Sequence, residues 1–164
     1  MKAAIIMGSK SDYTVVERAE KIFDLFGVEY ATRIISAHRT PSVAEAFSKN
    51  AEEEGIEIII AAAGKAAHLG GVIAANTPLP VIGLPVKSST LDGLDSLLST
   101  VQMPKGIPVA TVAIDGAENA ALLAVQILSV KYPGLREAMR KYKTDMEQEI
   151  IQLDEEFQSE KKKG

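Results

Sequence analysis

A regular alternation of short apolar runs with helical patterns is the feature that most constrains how this chain can fold. The candidate strands cover residues 3–7, 29–35, 56–63, 80–86 and 109–114, and each is followed by polar or glycine-rich residues and then by a helical pattern. Strands that are apolar on both faces belong to parallel sheets, because right-handed crossovers place helices over both sides. The alternation therefore predicts an α/β fold, with about five parallel strands as the middle layer of a three-layer αβα sandwich.

The helical segments contain their own start and stop signals. Apolar residues recur every three or four positions from Val15 to Phe26, and Gly27 is placed to end this helix in a left-handed turn. Pro41 suits the first turn of the second helix, where its missing N–H costs nothing, and Gly55 marks the end of that helix. Further helices are predicted near residues 72–76, 93–100 and 119–130. The expected strand order is flavodoxin-like.

A long helical pattern follows Pro133. Its apolar residues stand three or four positions apart and trace one stripe, formed by Leu135, Met139, Tyr142, Met146, Ile150, Leu153 and Phe157. The stripe either docks on its own domain or packs on another subunit. We favour the second hypothesis, because a helix of about 25 residues is roughly 37 Å long and extends beyond so small a domain.

Composition excludes several classes of protein. A chain of 164 residues fits one domain, and no apolar stretch approaches the roughly 20 residues of a membrane span. The N-terminus runs straight into a strand, which leaves no room for a secretion signal. The chain has no cysteine and only two histidines, so neither disulfides nor a metal centre is expected. The net charge of -4 argues against nucleic acid as a partner, so we expect a cytoplasmic, metal-free protein.

The loops after the first three strands hold the polar residues of interest. In open parallel sheets, ligands bind outside the carboxyl ends of the strands, where the strand order reverses. Hydroxyl groups, a helix start and Arg39 favour an anion there, which predicts a phosphorylated small molecule as the ligand. Two alternatives stay open. Ser11, Asp12 and Thr40 would serve equally as helix caps, and Arg39 and Lys65 as surface charges.

Motifs of other nucleotide-binding and catalytic classes are missing from these loops. Neither G-x-G-x-x-G nor G-x-x-x-x-G-K-[ST] is present, and the second strand ends in Ile35 and Ser36 where a dinucleotide fold would place an acid. NAD and ATP are therefore not expected. No G-x-S-x-G elbow occurs either. His38 and His68 each follow a predicted strand, which leaves proton transfer on a bound phosphorylated ligand as the favoured chemistry.

Four segments together resemble the N5-carboxyaminoimidazole ribonucleotide mutase family, in the class I form of bacterial purine biosynthesis. They are Met-Gly-Ser-Lys-Ser-Asp at 7–12, Ser-Ala-His-Arg-Thr-Pro at 36–41, Ala-Ala-His-Leu at 66–69 and Val-Gln-Met-Pro-Lys-Gly-Ile-Pro-Val at 101–109. The resemblance runs from about residue 3 to 130 and is looser in the last helix. It implies a flavodoxin-like sandwich assembled as a homo-octamer. The expected organisation is a catalytic domain at 1–132, a helix that packs on neighbouring subunits at 133–160 and a frayed tail at 161–164.

The resemblance also implies a reaction without cofactor, metal or ATP. A carboxylate moves from the exocyclic amine of an imidazole ribonucleotide to ring carbon C4, with His38 as general acid and base and CO2 as a transient intermediate. Imidazole suits proton transfer in both directions, because its ordinary pKa of about 6.5 lies near neutral pH. Ser9, Ser11 and Arg39 would hold the phosphate and Asp12 the ribose hydroxyls. The remaining expected substrate contacts are Ser36, Gly64, Ala66, Ala67, His68 and Leu69, of which Gly64 to His68 would wall the CO2 pocket.

Two residues depart from the family pattern. Lys65 stands where the family has glycine, and Gly70 where it has proline. A positive φ at Lys65 would cost about 1 kcal/mol or more relative to glycine. Two rival functions stay open: a direct aminoimidazole ribonucleotide carboxylase, whose class lacks the Ala-Ala-His-Leu stretch, and a non-catalytic module that binds phosphorylated metabolites.

Overall fold

A computed structural model describes residues 1–89 and 91–162 of the chain. Its sheet has five strands: β1 (Lys2–Met7), β2 (Glu29–Ile34), β3 (Ile58–Gly64), β4 (Val81–Val86) and β5 (Ala110–Thr111). All neighbouring strands are parallel, in the order β2-β1-β3-β4-β5. The predicted flavodoxin-like order is thereby confirmed. From β1 the chain passes to β2 on one side of β1 and then crosses to β3 on the other side. The carboxyl end of β1 therefore lies between the carboxyl ends of β2 and β3.

The described residues form six α-helices: α1 (Tyr13–Phe26), α2 (Pro41–Asn50), α3 (Leu69–Ala75), α4 (Leu94–Val101), α5 (Ala117–Leu128) and α6 (Pro133–Lys161). Gly27 ends α1 with φ 64°, as predicted, and its N–H donates to the carbonyls of Phe23 and Asp24. Pro41 occupies the first turn of α2, also as predicted. That helix ends at Asn50, and turns continue to Gly55, which has φ 77°.

The core lies in two layers because successive side chains of β1 point to opposite faces of the sheet. Ala3, Ile5 and Met7 pack in a cluster with residues of α1 and α5. Ala4 and Ile6 pack on the other side with residues of α2 and α3. Full burial of an isoleucine side chain stabilises a fold by about 1.5–3 kcal/mol. This two-sided burial confirms the three-layer αβα sandwich.

Apart from the end of α2, most predicted elements agree with the structure to within two residues at each end, and two differ by more. The fifth strand was predicted over 109–114 but comprises Ala110–Thr111. Pro85 explains this, because its carbonyl accepts from Asp115 N on the β5 side, where its missing N–H removes a hydrogen bond of the ladder. The third helix was predicted near 72–76 but begins at Leu69. Gly70 and Gly71, which are typical of a loop, instead pack closely against Val109 and Met103.

The last helix, α6, leaves the domain after three turns. Leu135 and Met139 are buried, and the ring of Tyr142 lies 5.6 Å from that of Phe26. The later apolar residues of the stripe are 43–66% exposed: Met146, Ile150, Leu153 and Phe157. Docking on its own domain therefore accounts for the first part of the stripe alone. The predicted tail begins inside the helix, which extends to Lys161, and residues 163 and 164 lie outside the described part of the chain. Within that part, no helix has the length and apolar character needed to cross a membrane.

Candidate active site

The loop after β1 folds into a short 3-10 turn at Lys10–Asp12. Ser9 Oγ accepts from Ser11 N at 3.3 Å, and Asp12 Oδ2 accepts from Ser9 N at 3.1 Å. Ser9 is the N-cap of this turn and Asp12 completes its capping box, although Asp12 makes no side-chain cap bond at the start of α1. Ser11 Oγ donates to Ser9 Oγ at 2.9 Å. Burial raises the pKa of Asp12 above its usual value, against the hydrogen bonds from Ser11 and Ser9 and the positive charge of Arg39. The three side chains form one polar cluster beside the end of β1.

The loop after β2 is a tight turn closed by Ser36 and Thr40. Thr40 Oγ1 donates to Ser36 O at 2.9 Å and accepts from Ser36 N at 3.1 Å. Thr40 stands at the start of α2 without a side-chain cap bond, so the capping hypothesis is wrong for this residue. Its bonds fix the turn that presents His38 and Arg39.

Arg39 connects the loops after β1 and β2. Its Nη2 donates to the carbonyl of Gly8 at 2.8 Å, and its Nε donates to Ser36 Oγ at 3.3 Å. These hydrogen bonds hold the guanidinium over the end of β1. Arg39 is exposed, and its guanidinium has defined hydrogen-bond partners at the ends of both strands.

The loop after β3 contains a strained backbone position. Lys65 has φ 55°, in the left-handed region, and this costs about 1–2 kcal/mol for a residue other than glycine. Lys65 thus has the positive φ at which lysine is less favourable than the glycine of the family pattern. The next residues return to the core, where Ala67 and Leu69 are 2% and 3% exposed. Gly64 packs so tightly that a Cβ there would lie 3.2 Å from the carbonyl oxygen of Val86.

The two histidines meet across the site. His38 Nε2 lies 3.0 Å from His68 Nδ1, and the rings are 87° apart in an edge-to-face arrangement. One of the two nitrogen atoms supplies the hydrogen, and the other accepts it. The contact restrains both rings. It does not involve His38 Nδ1 or His68 Nε2. Such a pair can hold and transfer a proton at the wall of a cavity.

A cavity of about 610 Å³ joins these loops. All the predicted site residues line it except Ala67, which is buried beneath the wall. These lining residues are Ser9, Ser11, Asp12, Ser36, His38, Arg39, Gly64, Ala66, His68 and Leu69. The structure thus brings together the ends of β1, β2 and β3, as the strand order requires.

Sequence reasoning missed the loop after β4. Lys87, Ser88 and Ser89 also line the cavity. The polar sequence after the fourth strand was the available signal, since β4 neighbours β3 in a flavodoxin-like order and its end reaches the same edge. Lys87 Nζ lies 3.1 Å from Asp92 Oδ1, and Ser88 Oγ donates to Asp95. Thr90, which follows Ser89, lies outside the described part of the chain.

The charge of the lining favours an anionic ligand. Arg39, Lys65 and Lys87 are its cations and Asp12 its acid. No group of three or more histidine, aspartate or glutamate side chains is placed to hold a metal ion in residues 1–89 and 91–162. The site therefore offers hydrogen-bond donors, positive charge and imidazole nitrogen atoms to a small anion.

Comparisons with known proteins agree with this geometry. The chain is 61% identical over 145 residues to the N5-carboxyaminoimidazole ribonucleotide mutase of Pyrococcus abyssi, covering 88% of this chain and 83% of that protein. It is 52% identical over 146 residues to a chloroplastic phosphoribosylaminoimidazole carboxylase of Vigna aconitifolia, covering 89% of this chain and 26% of that protein. The fold superposes on a crystal structure of Treponema denticola PurE with TM-score 0.85 and 32% identity, covering 94% and 97% of the two chains.

The family assignment rests on nearly the whole chain. A sequence model of the AIR carboxylase family matches residues 2–149. This span includes all five strands and every residue that lines the cavity. The chain belongs to the AIR carboxylase family.

Proposed function

We propose that this protein is an N5-carboxyaminoimidazole ribonucleotide mutase of class I, an isomerase of purine biosynthesis. It would move a carboxylate from the exocyclic amine of 5-aminoimidazole ribonucleotide to ring carbon C4. The single observation that carries the proposal is the placement of His38 in one cavity with Arg39 and the hydroxyl cluster after β1. The name of the Pyrococcus abyssi relative supports the same reaction.

Ser9, Ser11 and Arg39 are the proposed phosphate ligands. Their hydroxyls and guanidinium can all donate to phosphate oxygens, and charge-assisted hydrogen bonds of this kind are short and strong. Asp12 lies next to them and offers carboxylate oxygens that accept from the ribose hydroxyls. Ser36 holds Arg39 through its Oγ, 3.3 Å from Arg39 Nε, and borders the same end of the cavity.

His38 is the proposed general acid and base. As an imidazolium it donates a proton to the carbamate nitrogen, the C–N bond breaks, and its electron pair stays on that nitrogen as CO2 leaves. Ring carbon C4, activated by the adjacent amine, then attacks the CO2 carbon and forms the new C–C bond. The neutral imidazole removes the proton from C4, which restores aromaticity. One proton leaves His38 and one returns in each turnover, so no cofactor is required.

The loop after β3 is the proposed wall of the CO2 pocket. Gly64 and Ala66 line the cavity with small residues, and Ala67 lies buried behind them. His68 and Leu69 complete the same stretch of the wall. CO2 is small and uncharged, so a confined space is what keeps it beside C4 until the new bond forms.

The direct carboxylase is the second candidate, since one relative carries that name. The stretch at residues 66–69 favours the mutase. Supplying the N-carboxylated and the plain ribonucleotide separately, and following the C4-carboxylated product by its ultraviolet absorbance, distinguishes the candidates. Product from the N-carboxylated substrate without added bicarbonate supports the mutase. Faster turnover of the plain ribonucleotide with bicarbonate supports the carboxylase, and no product from either supports a binding module.

A homo-octamer is the proposed assembly, with residues 133–160 packing on neighbouring subunits. The exposed apolar residues of α6 support this, because an apolar stripe of this length is normally covered. Small ribonucleotides and CO2 are the proposed partners, with neither nucleic acid nor a membrane among them. We place the reaction in the cytoplasm, in keeping with a chain that has Cys 0 and no disulfide to maintain.

A further inference from the structure

Two lysines leave the sheet side by side at the cavity. β3 and β4 pair in parallel with Gly64 opposite Val86. The residues that follow this last pair are Lys65 and Lys87, and both line the cavity. Adjacent strands lie about 4.8 Å apart, so the register places the backbones of these two residues next to each other at the cavity wall. Two cationic side chains on one wall favour an anionic group of a ligand there.

The charges of the two lysines are balanced differently. Lys87 Nζ lies 3.1 Å from Asp92 Oδ1, so an acid within the loop compensates its charge. In the described part of the chain, Lys65 has no acidic group within ion-pair distance. Lys65 therefore contributes the less compensated positive charge at this end of the cavity.

The backbone conformation at Lys65 is unfavourable for a lysine. With φ 55°, this position suits glycine better than any residue with a Cβ. Strained conformations of this kind persist mainly where they serve a function, and they cluster at ligand sites. A long cationic side chain at a position that favours glycine indicates that the charge is useful there.

We propose that Lys65 binds the carboxylate of the substrate and product, and so makes this site prefer carboxylated ribonucleotides over the plain ribonucleotide. The assignment rests on the proposed function. The phosphate end already has Arg39, whose guanidinium lies over the end of β1, one strand spacing from β3, or about 5 Å. A ribonucleotide that extends along the strand ends from Arg39 would bring its imidazole substituents to the loop after β3, where Lys65 lies.

Charge at this position is tested with three variants of the full chain. Lys65→Gln removes the charge but retains a polar, unbranched side chain with a Cβ at the strained position, whereas Lys65→Arg keeps the charge. Lys21→Gln is the matched control, because Lys21 is exposed on α1 and lies outside the cavity. Calorimetry measures the Kd of the C4-carboxylated ribonucleotide and of the plain 5-aminoimidazole ribonucleotide for each protein.

We expect Lys65→Gln to weaken binding of the carboxylated ligand by about 5- to 10-fold and to leave the plain ligand within about twofold. Lys65→Arg and Lys21→Gln should bind both ligands like the unmodified protein. Added salt should reduce the effect of Lys65→Gln, since screening weakens attraction at an exposed site.

Equal weakening of both ligands by Lys65→Gln would overturn the assignment, because the lysine would then act on the phosphate they share. An unchanged Kd for the carboxylated ligand would overturn it as well. If the unmodified protein bound neither ribonucleotide, the proposed function itself would fail, and this result is distinguishable from both of the others.

Discussion

His38 Nε2 and His68 Nδ1 lie 3.0 Å apart, and the contact joins the loops that follow β2 and β3. The two imidazoles are chemically alike, but their positions differ. His38 precedes Arg39, the proposed phosphate ligand, whereas His68 begins α3 beside the small residues of the proposed CO2 pocket. Substitutions should therefore separate a proton carrier from a neighbour that restrains it.

Replacement of His38 should abolish turnover while leaving ligand binding largely intact. In His38→Asn, the side chain keeps a polar group but cannot shuttle a proton, so we expect kcat to fall by about 10²- to 10⁴-fold. Rate measurements and calorimetry on the same preparation check this. Activity within tenfold of the unmodified enzyme would contradict the role of His38 as acid and base.

Replacement of His68 should have a much smaller effect. The contact is an exposed hydrogen bond, and such bonds contribute about 0.5–1.5 kcal/mol. In His68→Asn, we therefore expect kcat to fall by about 2- to 10-fold, with the pH dependence of kcat unchanged. A loss as large as that of His38→Asn would show that His68 transfers a proton itself.

Arg39 should determine ligand affinity. In Arg39→Ala, the guanidinium that donates to Gly8 O and Ser36 Oγ is lost, together with the proposed phosphate contact. We expect Kd to rise about 10- to 100-fold, because hydrogen bonds to charged groups contribute about 1.5–3 kcal/mol. Arg33→Ala is the matched control, since Arg33 stacks on Phe47 at 5.6 Å and lies outside the cavity. Similar Kd values for both variants would contradict the assignment.

Glu57 should make stability depend on pH. Its carboxylate accepts from Lys131 Nζ and Tyr132 Oη, each at 2.7 Å, and the hydrogen bond from Lys131 lowers the pKa of Glu57 although partial burial opposes it. A carboxyl with a lowered pKa in the folded state stabilises the protein above its unfolded pKa, and this contribution is lost as pH falls through the folded value. Glu57→Gln should therefore unfold at lower urea concentration than the unmodified protein at pH 7, and the difference should shrink below about pH 4.

Both proteins are compared at equal concentration, since association stabilises folded chains. Glu45→Gln is a useful comparison, because Glu45 pairs with Lys49 on the exposed face of α2. A constant difference between Glu57→Gln and the unmodified protein at all pH values would show that the charge of Glu57 is not responsible.

Removal of the exposed part of α6 should produce smaller assemblies. A chain that ends after Lys143 keeps Leu135, Met139 and Tyr142, which pack on the domain, and lacks the exposed stripe from Met146 to Phe157. Light scattering should give fewer subunits per particle, after allowance for the lower mass of the shortened chain, with the circular dichroism of the core retained. A chain that ends after Lys161 is the control and should keep its number of subunits. An unchanged number of subunits after the longer deletion would mean that the stripe does not join subunits.

The strand order and most helix bounds could be predicted because they depend on local pattern and on the handedness of crossovers. The bounds of β5 could not be predicted, because they depend on tertiary structure. Pro85 of β4 lacks an N–H on the side that pairs with β5, and the sequence does not show which side that is. The helix at Leu69–Ala75 was placed too late because Gly70 and Gly71 pack closely in it. Close packing of this kind leaves no mark in the periodicity of the sequence.

The candidate site was predicted in the same uneven way. Residues after β1, β2 and β3 were found from the rule on strand ends, and the structure gathers them at one cavity. Their hydrogen bonds were not predictable, because Arg39 reaches Gly8 across 31 positions of the chain. Lys87 was overlooked because its loop follows β4, which lies beyond β3 and is not next to β1, where the strand order reverses.

The short fifth strand has a consequence for a protein that is proposed to work in many copies. Subunits held close together are at risk of joining through their sheet edges, where free N–H and C=O groups can pair with a strand of another chain. At one edge, β5 presents two residues. At the other, β2 carries the exposed charged residues Glu29 and Arg33. Both edges are therefore poor templates for a strand of another chain, which favours contacts between copies through helices over contacts through sheet edges.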